Sequence, residues 1–376
     1  MTLLRASIAW HVFDLSHSAF YLGLTGLIQF VPVLALTLVG GVVADSFDRR
    51  RVINLAQIVL LCCGSLLFWS THSGSVTLPL LYMTVAAISS AGTFEAPARS
   101  ALLPTLVPRE RFPRAVTIAS TNQALAFATG PALAGVLIAS FGIGAAYAGY
   151  VVLIVIAFAG VTNLRAGGEI ARRGAVTLAA VREGVAYVWK QPVILGCMSL
   201  DMFAVIFGGA TALLPIYAKD ILHAGPRGYG MLTSSFEVGA LCMSVMLMLR
   251  PPARHAGRIL LSTVVVFGLA TITFGLSRIF PLTIAAYLIA GMADQVSVVM
   301  RSTAVQLSTP DALRGRVSAV NMMFIGASNQ LGAAESGFVA HLTSPTFAVV
   351  SGGIGCLFVV ALVAWRLPEL RRYRVA

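Results

Sequence analysis

Long apolar stretches alternate with short polar gaps along almost the whole chain. Runs near the roughly 20 residues needed to cross a bilayer fall at 21–44, 52–71, 76–98, 115–140, 143–164, 193–218, 229–249, 259–277, 281–300, 317–340 and 346–366. A shorter apolar run precedes Asp14. The pattern predicts about eleven membrane helices and part of another. The polar interval 165–192 is different: Leu178, Val181, Val185 and Val188 recur at helical spacing, with Arg182, Glu183 and Lys190 elsewhere on the surface. It predicts an amphipathic helix in a linker, either lying along the cytoplasmic face or packing against the bundle.

Composition agrees with this reading. Hydrophobic residues make up 58% of the chain and charged residues 11%, and the mean hydropathy is +0.88, which excludes an ordinary soluble domain. A net charge of +12 raises nucleic acid as a partner, and the placement of the basic residues argues against it. Arg49–Arg51, then Arg99, Arg109, Arg111 and Arg114, then Arg165, Arg172, Arg173, Arg182 and Lys190 fall in every second gap. Arg250, Arg254 and Arg258, then Arg301, Arg314 and Arg316, then Arg366, Arg371, Arg372 and Arg374 continue the series, while the other gaps hold only Lys219, Arg227 and Arg278. Such alternation is the positive-inside pattern of a multi-pass protein with its C-terminus in the cytoplasm. The expected partner is a lipid bilayer, and no nucleic acid.

A diverged repeat relates the two halves. A shift of 202 residues carries the segment from Arg99 to Pro108 onto that from Arg301 to Pro310, and also Arg114 onto Arg316, Gly130 onto Gly332 and Gly135 onto Gly337. Parallel repeats of this size are a transporter architecture. The same shift places the partner of 193–218 partly before Met1, so the first helix is expected to be incomplete. The expected organisation is an N-terminal bundle at 1–164, a cytoplasmic linker at 165–192, a C-terminal bundle at 193–366 and a cytoplasmic tail at 367–376.

Between the runs ending at 44 and starting at 52 lies Gly40-Gly41-Val42-Val43-Ala44-Asp45-Ser46-Phe47-Asp48-Arg49-Arg50-Arg51. It resembles the loop between helices 2 and 3 of the major facilitator superfamily, whose pattern is roughly Gly-x-x-x-Asp-Arg-x-Gly-Arg-Arg. Gly41, Asp45, Arg49 and Arg50 match; Ser46 stands in place of Arg and Asp48 in place of Gly. The resemblance implies an all-α membrane fold of two six-helix repeats that acts as a monomer, with Asp45 helping to hold the cytoplasmic side closed during part of the transport cycle. Gly130-Pro131-Ala132-Leu133-Ala134-Gly135 resembles the Gly-Pro motif on helix 5 of exporters in that superfamily. The stretches from Glu95 to Ser100, from Ala293 to Ser302 and from Leu313 to Asn321 are similar to the branch that includes the enterobactin exporter. That similarity implies outward movement of a small organic molecule, a siderophore or drug-like compound, driven by protons.

Charges inside apolar runs are costly and are functional candidates by default. Asp201, Glu237, Asp294 and Glu335 lie within such runs, and Glu95 lies near the end of one. Asp201 and Asp294 are deepest and, with Glu335, are the candidate proton or substrate contacts. A coupling carboxylate must be neutral when occluded and charged when wetted. Glu95 stands four residues before Arg99, a spacing that predicts a local ion pair at the cytoplasmic rim. The six histidines, the five cysteines and the glycines form no recognisable catalytic, metal or phosphate-binding pattern, so neither enzyme nor cofactor is expected, and energy must come from an ion or substrate gradient. No removable signal peptide is expected after Met1. An importer on the same fold, or a non-transporting membrane protein, is the alternative.

Overall fold

The computed structural model describes residues 1–164, 178–249 and 256–372, and among these every regular element is helical. The part of the linker at 165–177, the polar gap at 250–255 and the tail at 373–376 lie outside the described residues. In chain order the helices are α1 (Thr2–Ser16), α2 (Ala19–Ser46), α3 (Arg49–His72), α4 (Leu78–Leu106), α5 (Phe112–Phe141), α6 (Ile143–Thr162), α7 (Leu178–Lys190) and α8 (Pro192–Gly208). They continue with α9 (Gly225–Leu249), α10 (Ala256–Leu276), α11 (Phe280–Leu307), α12 (Asp311–Leu342), α13 (Pro345–Arg366) and the short α14 (Pro368–Arg372). Nine membrane spans among the described residues are long and apolar enough to cross a bilayer. Helices α4 and α12, of 29 and 32 residues, have the length but carry more polar residues.

Two compact units form, one of Met1–His17 with Ile28–Thr177, the other of Ser18–Leu27 with Leu178–Ala376. In the first unit α3 packs against α4 and α6. Gly64 makes the second contact possible, because a Cβ there would stand 2.8 Å from the Tyr150 ring. Small residues serve membrane bundles in this way, since lipid tails give helices no hydrophobic reason to associate and close packing has to supply it. Tyr147 and Tyr150 of α6 and Leu60 and Leu67 of α3 are almost fully buried. His11 of α1 shares a 2.9 Å hydrogen bond with the Tyr147 hydroxyl. This satisfies two polar groups that hydrocarbon would otherwise strand.

The second unit is built around α8, α10, α11, α12 and α13, with Ile194, Leu200, Leu260, Met300, Val317, Cys356 and Val360 in its core. The start of α2 belongs to it: a Cβ on Gly23 would lie 2.9 Å from the Gly337 backbone, and one on Gly26 would lie 2.8 Å from the Gln330 carbonyl. Helix α7 presents Val185, Tyr187 and Val188 to the same core. Tyr187 donates to the Ser308 carbonyl at 3.0 Å, and Glu183 pairs with Arg316 at 2.6 Å. The amphipathic segment is therefore a packed helix of this unit.

Two departures from the hydropathy pattern have physical causes. Helices α4 and α11 run on to Leu106 and Leu307, although the apolar runs end near Arg99 and Arg301. Apolarity stops at the first arginine, whereas the backbone continues as helix into the polar gap, in α4 through Pro97 and Pro104. The run read at 193–218 is not one helix: α8 ends at Gly208, and Ala210–Leu213, Leu214–Ile216 and the π-turn Tyr217–Ile221 follow. At the break the Ser336 hydroxyl donates to the freed Gly209 carbonyl at 3.0 Å. A neighbouring side chain thus repairs what the helix leaves open.

Candidate functional site

In the first unit two residues of the motif segment, Asp48 and Arg50, act at helix ends. Only Phe47 and Asp48 separate α2 from α3, and the Asp48 carboxylate accepts from the Arg50 backbone N–H at 2.9 Å. The position where the superfamily pattern has Gly thus supplies an N-cap, one of the better residues for that role. Arg49 donates to the Ala101 carbonyl at 3.0 Å. Arg50 donates to the Thr162 carbonyl at 2.8 Å, on the last residue of α6, where carbonyls lack helical partners and a cation is favoured. Gly41 lies within α2, and the side chain of Asp45 lies outside the described residues.

Gly130 and Pro131 lie within an uninterrupted α5. A Cβ on Gly130 would stand 3.0 Å from the Leu3 backbone nitrogen, and Thr2 donates to the Ala126 carbonyl at 2.7 Å. The glycine therefore lets the first turn of α1 lie against α5. Gly135 is buried one turn further along. Glu95 is buried and paired with Arg99 on the same helix, whose side chain is two-thirds exposed.

The second unit collects most of the intramembrane charge. Asp201 of α8 pairs with Arg301 of α11, and both side chains are almost out of contact with solvent. Beside them a cavity is lined by Asp201, Ala204, Val205, Val264, Phe267, Asp294 and Ser297. The two deepest aspartates therefore share one cavity. Ser297 and Arg301 follow Asp294 by three and seven residues, which puts all three on one face of α11. Glu237 of α9 lies near Asp294, their charges within mutual reach, because α9 and α11 meet without side chains between them. A Cβ on Gly239 would run into the Leu288 carbonyl, and one on Gly291 into that of Phe236. Glu335 is apart from this group, with its carboxylate 3.3 Å from the Ser336 hydroxyl that holds the α8 break.

Arg301 is the residue that reading the chain missed. It counted there as one of the topological arginines, yet it is 4% exposed and its Nε has no hydrogen-bond partner among the described residues. A signal was present in its seven-residue spacing from Asp294, which puts an acid and a base on one face of an apolar helix.

Residues 2–374 match the model of a family described as transmembrane secretion effectors, of the major facilitator type. The enterobactin exporter EntS of Citrobacter koseri is 25% identical over 382 residues, covering 99% of this chain and 89% of that protein. The enterobactin exporter EntS of Escherichia coli O139:H28 is 26% identical over 381 residues, with the same coverage. Among solved structures, a peptide transporter POT mutant superposes with a TM-score of 0.75 at 12% identity, covering all of this chain and 93% of that one. A point mutant of the nucleoside transporter NupG gives 0.74 at 13%, covering 98% and 95%. These structural likenesses establish the shared fold.

Proposed function

Because the chain belongs to the transmembrane secretion effector family of major facilitator transporters, we propose that it exports a small organic molecule, a siderophore or drug-like compound, from the cytoplasm by proton antiport and alternating access. The observation that carries this reading is its similarity to the enterobactin exporters along 99% of the chain. The buried carboxylates of the second unit support the coupling, since a group that trades a proton for another occupant has to sit where water reaches it only part of the time. Its setting is a bacterial cytoplasmic membrane with the arginine-rich gaps and the C-terminus inside, and the working unit is a monomer.

The test is flux in everted vesicles containing the protein, energised to be acidic inside, with a catecholate siderophore and a panel of lipophilic drugs. Uptake that collapses with the proton gradient and is lost in Asp294→Asn supports the proposal. Uptake driven only by the compound's own gradient, or running in the opposite direction, overturns proton-driven export.

A further inference from the structure

The cavity between α8, α10 and α11 differs in kind from a substrate site. It has room for an occupant no larger than a water molecule, and its walls apart from three residues are the apolar Ala204, Val205, Val264 and Phe267. No siderophore or drug enters such a space. The three polar residues are Asp201, Asp294 and Ser297.

Their partners divide them. Asp201 is held by Arg301, so together they bring no net charge. Among the described residues Asp294 makes no ion pair, and Ser297, 7% exposed, makes no hydrogen bond although its side chain borders the cavity. Its hydroxyl is free to meet an occupant of the cavity, and it stands three residues from an unpaired carboxylate on the same face of α11. The surroundings add no further cation among the described residues. Helix α8 contributes Cys197 and Asp201, α9 contributes Glu237, α10 contributes apolar Val264 and Phe267, and α11 itself contributes Tyr287, whose hydroxyl is occupied by Thr211 at 3.1 Å. Glu237 does not line this water-sized space, and the two oxygen-bearing groups that do and are not already paired, the Asp294 carboxylate and the Ser297 hydroxyl, suit a small, singly charged cation, since a divalent ion would find too few oxygen ligands.

We propose that this cavity is the coupling-ion site, occupied by a proton or a sodium ion, in which Asp294 and Ser297 hold the ion while Arg301 withdraws Asp201 from the exchange. The inference rests on the reading of the chain as ion-driven, and deepens it by separating the ion's place from the substrate's. The two aspartates, alike in the sequence, then have different tasks: Asp294 changes its occupant and Asp201 keeps its partner.

Dicyclohexylcarbodiimide, which modifies protonated carboxyls in apolar surroundings, reads this directly when the labelled peptides of the purified full-length protein are identified by mass spectrometry. Labelling is expected at Asp294, several-fold above Asp201, and is expected to fall as the pH rises. At fixed pH, protection by sodium chloride but not choline chloride identifies sodium as an occupant, and Ser297→Ala is expected to weaken it. Protection by pH alone identifies the proton. Equal labelling of the two aspartates, or an Asp294 that does not react at any pH, overturns the proposal. Labelling is measured without flux, so the two readings fail separately. Selective, protectable labelling in a protein that drives no ion-dependent flux retains the site and sinks the antiporter. Proton-driven flux with Asp294 unreactive does the reverse.

Discussion

Arg301 shows how much a single buried charge depends on its partner. Removing one member of a buried pair strands the other, at a cost of about 3–5 kcal/mol, whereas removing both leaves an uncharged site. Arg301→Gln is therefore expected to lower the thermal midpoint of the purified protein sharply, and Asp201→Asn combined with it to recover most of the loss. If the double variant melts no higher than the single one, the pair does not stabilise the unit in this way. Arg50 is a milder case. Its bond to the Thr162 carbonyl is charge-assisted but exposed, so Arg50→Ala is expected to cost about 1–2 kcal/mol, read as a small fall in the same midpoint. Arg51, 3.9 Å from Asp48 and exposed, is expected to be neutral when replaced by Ala.

Among the elements, α7 makes the clearest commitment. Its amphipathic spacing could be read directly, but what it packs against could not, because Ser308 and Arg316 lie more than a hundred residues further along the chain. Tyr187→Phe combined with Glu183→Gln removes both polar ties to the α11–α12 region while leaving Val185 and Val188 in place. Proteolysis within 178–190 is expected to quicken several-fold, with the remaining helices still protected; unchanged cleavage would mean that the apolar face alone holds α7. The same distinction explains what else the chain disclosed. Hydropathy located the eleven long apolar segments because helices satisfy nearly all of their own backbone, and Glu95 with Arg99 was legible because four residues is about one helical turn. The α8 break and the Asp201–Arg301 pair were not, because one depends on Ser336 and the other on a residue 100 positions away.

For the whole molecule, the alternation of basic gaps fixes an expected orientation. With native cysteines removed, Gly74→Cys, between α3 and α4, is expected to react with an impermeant maleimide in intact cells, and Glu110→Cys, between α4 and α5, only after permeabilisation. The opposite result would invert the proposed topology and the direction of transport with it. The repeat adds a second expectation at this scale. Gly23 and Gly26 set the approach of α2 to α12 within the second unit, so Gly23→Leu is expected to cut the yield of folded protein, whereas Gly160→Leu, with nothing within 4 Å of its added Cβ, is expected to leave it unchanged.

The 202-residue shift that carries Arg99 onto Arg301 also carries Glu95 onto Ser297. In the first unit the arginine answers to its own helix; in the second it answers to α8. A bond closed within one rod leaves that rod free to slide, while a bond closed across two acts as a latch between them. Sliding α8 against α11 must therefore tear a charge pair almost out of contact with solvent, a resistance that α4 never meets from Arg99. Ser297→Glu would offer Arg301 a local anchor, transplanting the arrangement of the first unit into the second and leaving its latch undone.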